Sequence, residues 1–164
     1  MSKKQPAEHF AKMLRHTIET PAWRGLSSTA QALYPWIKLQ WKGTKNNNNG
    51  KIQFSNRQAA ICLGVTVDTA GRGFHDLQRK GFLLVTKAAR LGIGGQAQSP
   101  CYELTEIALP QSEIGKPRKL YLEWQAGHDF PIHKAMANNP SGKNGRAKTQ
   151  SEVVHFDNIR QLEA

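Results

Sequence analysis

SNRQAAICLGVTVDTAGRGFHDLQRKGF, residues 55–82, is the stretch on which the fold turns. Ser55 and Gln58 have the spacing of a capping box, which predicts a helix from there to about Leu63. Gly64 follows as its C-cap. Thr66 caps a second helix over 67–80, and Gly81 ends it. Two helices are therefore joined by a three-residue turn. At 100° per residue, Val67, Ala70, Phe74 and Leu77 share one face of the second helix, while Asp68, Arg72, His75 and Arg79 share the opposite one. Thr69 and Asp76 flank that polar stripe. One face is expected to pack and the other to remain free for a ligand.

Working upstream, Lys51 to Phe54 alternates as a short strand after the polar loop 45–50, which ends in the turn signal Asn49-Gly50. Thr20-Pro21 starts one helix, and Ser28 with Gln31 offers a capping box for another. Ala30, Leu33, Ile37 and Trp41 recur at helical spacing, with Pro35 expected to kink that helix or to set its first turns apart. Phe10, Met13, Leu14 and Ile18 suggest a short amphipathic helix over 8–18.

Downstream, 82–87 reads as an apolar strand, 88–99 as a Gly-rich loop and 100–105 as a return strand with Tyr102 and Leu104 on one face. The segment 118–126 is helical or extended, and 137–151 has no apolar anchor and is expected to be disordered. The predicted organisation is an N-terminal tail and short helix (1–19), an α+β domain (20–107) made of a helical core with a small antiparallel β-hairpin, and a partly disordered basic C-terminal extension (108–164).

The 164 residues carry 23 Lys and Arg against 12 Asp and Glu, a formal charge of +11. Such a surface attracts phosphate backbones or anionic lipids. No run approaches the ~20 apolar residues of a membrane helix, and Lys3-Lys4 is not followed by a secretory apolar run, so a cytoplasmic location is expected, nucleoid-associated if DNA is the partner. Cys62 and Cys101 fit no metal or redox spacing and read as small buried apolar residues.

These features suit a helix that enters the major groove of duplex DNA. Arg72 is the residue best suited to bidentate contact with guanine, Thr69 to a base methyl or a phosphate, and Thr66, at the helix start, to a phosphate. The plainer alternative is a solvated helix face with an Asp68–Arg72 ion pair at i,i+4. Gly71 and Gly73 each cost ~1 kcal/mol against Ala, and their bare backbone allows close approach of another helix or of DNA. Lys87 and Arg90 flank the hairpin loop and Gln96 and Gln98 lie within it, a Gly-rich loop whose few side chains would allow close approach to minor groove or phosphate. Between 114 and 150 there are seven cations against Glu123 and Asp129, a basic arm able to add sequence-independent affinity.

Ser55-Asn56-Arg57-Gln58-Ala59-Ala60, Leu63-Gly64-Val65-Thr66, Thr69-Ala70-Gly71-Arg72 and Leu77-Gln78-Arg79-Lys80-Gly81-Phe82, read together, resemble the pattern of winged helix-turn-helix DNA-binding proteins of bacteria, plasmids and prophages. Pro21-Ala22-Trp23, Ala32-Leu33-Tyr34 and Asn49-Gly50 extend the likeness, which covers a little over half the chain. The resemblance implies a winged helix over 20–107, with DNA contacts from Thr66, Thr69 and Arg72 and with Asn56 and Arg57 near the backbone. Gly73-Phe74 departs from it, since a pair such as Ala-Leu is more usual there.

No catalytic constellation stands out. His128, Asp129 and His133 are close in sequence but have no further well-spaced ligand, and Glu103 and Glu106 have no third acid to complete a nuclease site. No metal or other cofactor is expected. The function expected is a sequence-specific double-stranded DNA-binding protein acting as a transcription regulator. Such a regulator would be a homodimer on a palindrome, joined through residues up to about 18 or through the last twenty, where Val153, Val154, Phe156, Ile159 and Leu162 lie. A replication, excision or transfer factor of a mobile element and a winged-helix protein-interaction module are the alternatives.

Overall fold

The computed structural model describes residues 9–91, 97–111 and 115–134. It is mixed α+β: among the described residues five α-helices and a 3₁₀ turn surround a three-stranded antiparallel sheet. Helices α1 (Arg15–Ile18) and α2 (Pro21–Arg24) are single turns. The helix expected over 8–18 is thus confined to its last residues. Thr20 caps α2 by accepting from the Trp23 N–H at 3.2 Å, with Pro21 in the first position.

Helix α3 (Ser28–Lys38) corrects one cap. Ser27, whose backbone is extended, accepts from the Ala30 N–H at 3.3 Å, and the Gln31 amide goes to the Trp23 carbonyl. The helix runs through Pro35 and stops before Trp41, whose indole N–H donates to Asn47 at 2.9 Å. Strand β1 (Ile52–Gln53) is shorter than its alternation suggests. Helix α4 (Asn56–Leu63) opens with both arms of the Ser55–Gln58 capping box, and α5 (Val67–Arg79) opens on the Thr66 cap. Gly64 and Gly81 stand at φ +66° and +76°, and each helix closes with a six-to-one bond, Val65 N–H to Ala60 O and Phe82 N–H to Leu77 O.

Strands β2 (Leu83–Lys87) and β5 (Cys101–Leu104) form a hairpin, and β1 adds to the outer side of β5, giving the order β1-β5-β2. Tyr102 pairs with Ile52 on one side and Val85 on the other. The loop expected over 88–99 is partly strand: β3 (Arg90–Leu91) pairs with β4 (Ala97–Gln98), which lengthens the hairpin.

The core lies where α3 and α5 meet the sheet. Phe74 stacks on Tyr102 at 5.1 Å, and Trp23, Tyr34 and Phe82 meet edge to face at 5.3–5.6 Å. Tyr121, in the 3₁₀ turn Leu120–Leu122, completes this cluster by stacking on Phe82 at 4.7 Å. The chain after 107 therefore folds back on the core through 115–134. All of β5 is buried, and this segment covers part of its second face: Arg118 pairs with Glu103 at 2.9 Å, and just past the strand the Lys119 N–H donates to Thr105 O. The arm over 137–151 lies outside the described residues.

Two of the inward assignments are corrected. Val67 is half exposed: it is the first residue of α5, and the buried side of the helix begins only at Ala70. Cys62 is exposed on the outer side of α4, which buries only Ala59 and Ala60, while Cys101 is buried.

A pair of glycine substitutions measures how firmly 115–134 is held. A Cβ on Gly64 meets nothing within 4 Å, so Gly64→Ala should cost only the left-handed backbone penalty of ~1–2 kcal/mol. A Cβ on Gly81 would lie 2.8 Å from the Phe130 ring and 2.9 Å from backbone atoms of Leu120 and Tyr121. Urea unfolding should therefore show a clearly larger loss for Gly81→Ala. Equal losses would mean that the segment does not pack there.

Candidate nucleic-acid interface

Helix α5 is amphipathic. Ala70, Gly71, Gly73, Phe74, Leu77 and Gln78 are buried against the core, whereas Asp68, Arg72 and Arg79 are exposed and His75 is half-buried. The two interior glycines have a packing explanation. A Cβ on Gly73 would press to 3.3 Å on Leu33 and Thr29 of α3, and one on Gly71 would come to 3.0 Å from the Asn56 amide. Both let neighbouring helices close in, and the Phe74 ring that follows stacks on Tyr102.

The N-terminal end of α5 is tightly made. Thr66 Oγ1 accepts from the Thr69 N–H at 3.1 Å and shares a hydrogen bond with the Thr69 hydroxyl at 2.8 Å. One turn on, Arg72 and Asp68 form a 2.7 Å ion pair, with both side chains largely exposed. An exposed i,i+4 pair contributes only ~0.3–0.5 kcal/mol. Arg72 can therefore leave Asp68 for another acceptor at little cost.

The other carboxylate on the helix is already neutralised. Asp76 accepts from the Ser27 N–H at 2.7 Å and pairs with Lys80 at 3.1 Å, which also faces the Trp124 ring at 5.1 Å. It ties α5 to the α2–α3 loop. Arg72, His75 and Arg79 line one shallow cleft with residues of that loop. Asn56, Arg57 and His75 line a second cleft of about 410 Å³, floored by Phe74, Val85 and Tyr102 between α5 and the hairpin.

The imidazole of His75 is held below its ordinary pKa, first by burial and then by the charges of Arg79 and Lys134. It therefore favours the neutral form, and its burial opposes stability as pH falls below the usual histidine value of about 6.5.

Nine of the ten residues singled out from the sequence can be placed. Asn56 and Arg57 are exposed in the first turn of α4; Thr66, Asp68, Thr69, Arg72, His75 and Arg79 follow the outer side of α5; Lys87 is exposed at the end of β2. Arg90 lies in β3, and its side chain is outside the described part. Lys134, one of the seven cations expected in a basic arm over 114–150, lies near enough to α5 for its charge to act on His75.

Glu103, Glu106 and Asp129 are each engaged by other side chains. Glu103 is buried against Arg118, and burial raises its pKa. Glu106 is buried beside Lys38. Asp129 accepts from the Trp124 indole at 2.9 Å. Among the described residues no group of His, Cys, Asp and Glu is placed to hold a metal, and no helix is long and apolar enough to cross a membrane. Comparison with protein families, curated proteins and solved structures gives no match to this chain.

Proposed function

We propose that this chain is a winged helix-turn-helix protein that binds double-stranded DNA sequence-specifically and acts as a transcription regulator. The observation that carries the reading is the outer side of α5: a capped N-terminus followed by exposed Arg72, half-buried His75 and exposed Arg79, on a helix seated by its other side on α3 and the sheet. A side chain on a firmly seated helix is held in register with base edges. The order of elements supports it, with a strand, two helices around a tight turn and then a hairpin whose return strand pairs with that first strand. In this reading α5 enters the major groove, α4 lies across the backbone with Asn56 and Arg57, and the hairpin with Lys87 and Arg90 is the wing.

Two substitutions test it on a preferred duplex. Arg72→Ala should cost ~1–3 kcal/mol and relax the base preference at one position. Asp68→Ala should tighten binding to all duplexes, because it removes a carboxylate facing phosphate and frees Arg72 from its ion pair. Fluorescence anisotropy titrations check both. Unchanged affinity and unchanged preference for Arg72→Ala would sink this assignment of the reading face.

A further inference from the structure

We propose that residues 131–134 form an additional DNA-contacting edge, in which Lys134, clipped beside the outer side of α5, binds a backbone phosphate. The inference rests on the DNA-binding reading above and adds a contact that neither the helix-turn-helix nor the hairpin supplies.

Two hydrogen bonds make the clip. The Phe130 N–H donates to the carbonyl of Arg79, the last residue of α5, at 2.9 Å. The His133 N–H donates to Gln78 Oε1 at 2.8 Å. Gln78 is buried, and its own amide N–H goes back to the Phe74 carbonyl at 3.3 Å, so the acceptor is held in place from within the helix. The Phe130 ring also abuts Gly81. Residues 130 and 133 are thereby fixed along the last turns of α5, and 134 follows directly.

Arg57, Arg79 and Lys134 itself bring positive charge to this segment, and its own carboxylate, Asp129, faces Lys80 at 3.7 Å. His133 lines the same cleft as Asn56, Arg57 and His75. The charge of Lys134 is felt by His75, together with that of Arg79. Of the carboxylates of α5, Asp76 is taken by Ser27 and Lys80, and Asp68 stands at the opposite end of the helix from Gln78 and Arg79. A lysine on such an edge is a point charge suited to phosphate, without the planar fork that reads a base. Its contribution is therefore independent of sequence.

The test uses the full chain with Lys134→Ala and Lys134→Arg, titrated on a selected duplex and on an unrelated one across a salt series. One lost phosphate contact should lower the slope of log K against log salt by about 0.9 and weaken both duplexes alike, by roughly fivefold at ~150 mM. Lys134→Arg should restore slope and affinity. A parent that binds while Lys134→Ala matches it in slope and affinity overturns the inference alone. A parent that binds neither duplex overturns the DNA-binding reading and this contact with it. Placement is checked without DNA by NMR titration of the His75 ring, whose pKa should rise toward 6.5 in Lys134→Ala. No movement would show that Lys134 is not beside α5.

Discussion

Glu106→Ala is expected to cost about 3–5 kcal/mol, a large share of the ~5–15 kcal/mol by which a native domain is stable. Glu106 is buried and takes three partners from distant parts of the chain: Thr17 Oγ1 at 2.8 Å, the Tyr34 hydroxyl at 2.9 Å and Lys38 Nζ at 2.6 Å. Removing the carboxylate leaves a buried ammonium and two buried hydroxyls without their acceptor. The penalty is mainly that of the orphaned Lys38, so the double replacement Lys38→Met with Glu106→Leu should recover most of it.

Burial pushes the Glu106 carboxyl up, but the hydrogen bond and charge of Lys38, with the hydroxyls of Thr17 and Tyr34, outweigh it and hold the pKa below the usual carboxylate value. A depressed folded value means that the stabilisation is complete above the unfolded pKa of about 4.5 and is lost as pH falls through the folded one. Chemical denaturation between pH 7 and pH 3 should show this loss in the parent and a flatter profile in Glu106→Gln. An identical profile would mean that the pair does not form.

Phe74→Ala has an effect of similar size, ~3–5 kcal/mol, for a different reason. Its ring stacks on Tyr102 at 5.1 Å and lies 6.3 Å from Phe54, so it joins α5 to the sheet. Truncation leaves a cavity where the proposed reading helix is seated. Phe74→Leu fills most of that volume and should lose much less, though not the stacking. Thermal unfolding monitored by circular dichroism separates the two. A loss below ~1 kcal/mol for Phe74→Ala would show that α5 is held elsewhere.

Sequence and structure agree where the signals are local. Ser55 with Gln58, Thr66, Gly64 and Gly81 each act within four residues, so spacing alone reads them correctly. Ser27 and Ser28 show the limit of that reading: both are good caps, and Gln31, which pointed to Ser28, is drawn off by the Trp23 carbonyl.

What was hidden depends on partners far along the chain. The Glu106 contacts span 68 to 89 residues. Asn49 looked like half of a turn signal, yet its buried amide bonds the Leu104 backbone and the Ile107 carbonyl and fastens the loop to β5. Of the candidate interface, the face of α5 was legible from its period. The approach of 131–134 was not, because backbone donors and a buried glutamine leave no pattern in composition.

The central claim is that this chain recognises a particular duplex sequence, and selection from a random duplex library at ~150 mM salt tests it most directly, since screening there suppresses loose electrostatic binding. An enriched motif is expected, and a palindromic one would also give the spacing of a dimer. No enriched motif, with binding that vanishes as salt rises, would contradict it.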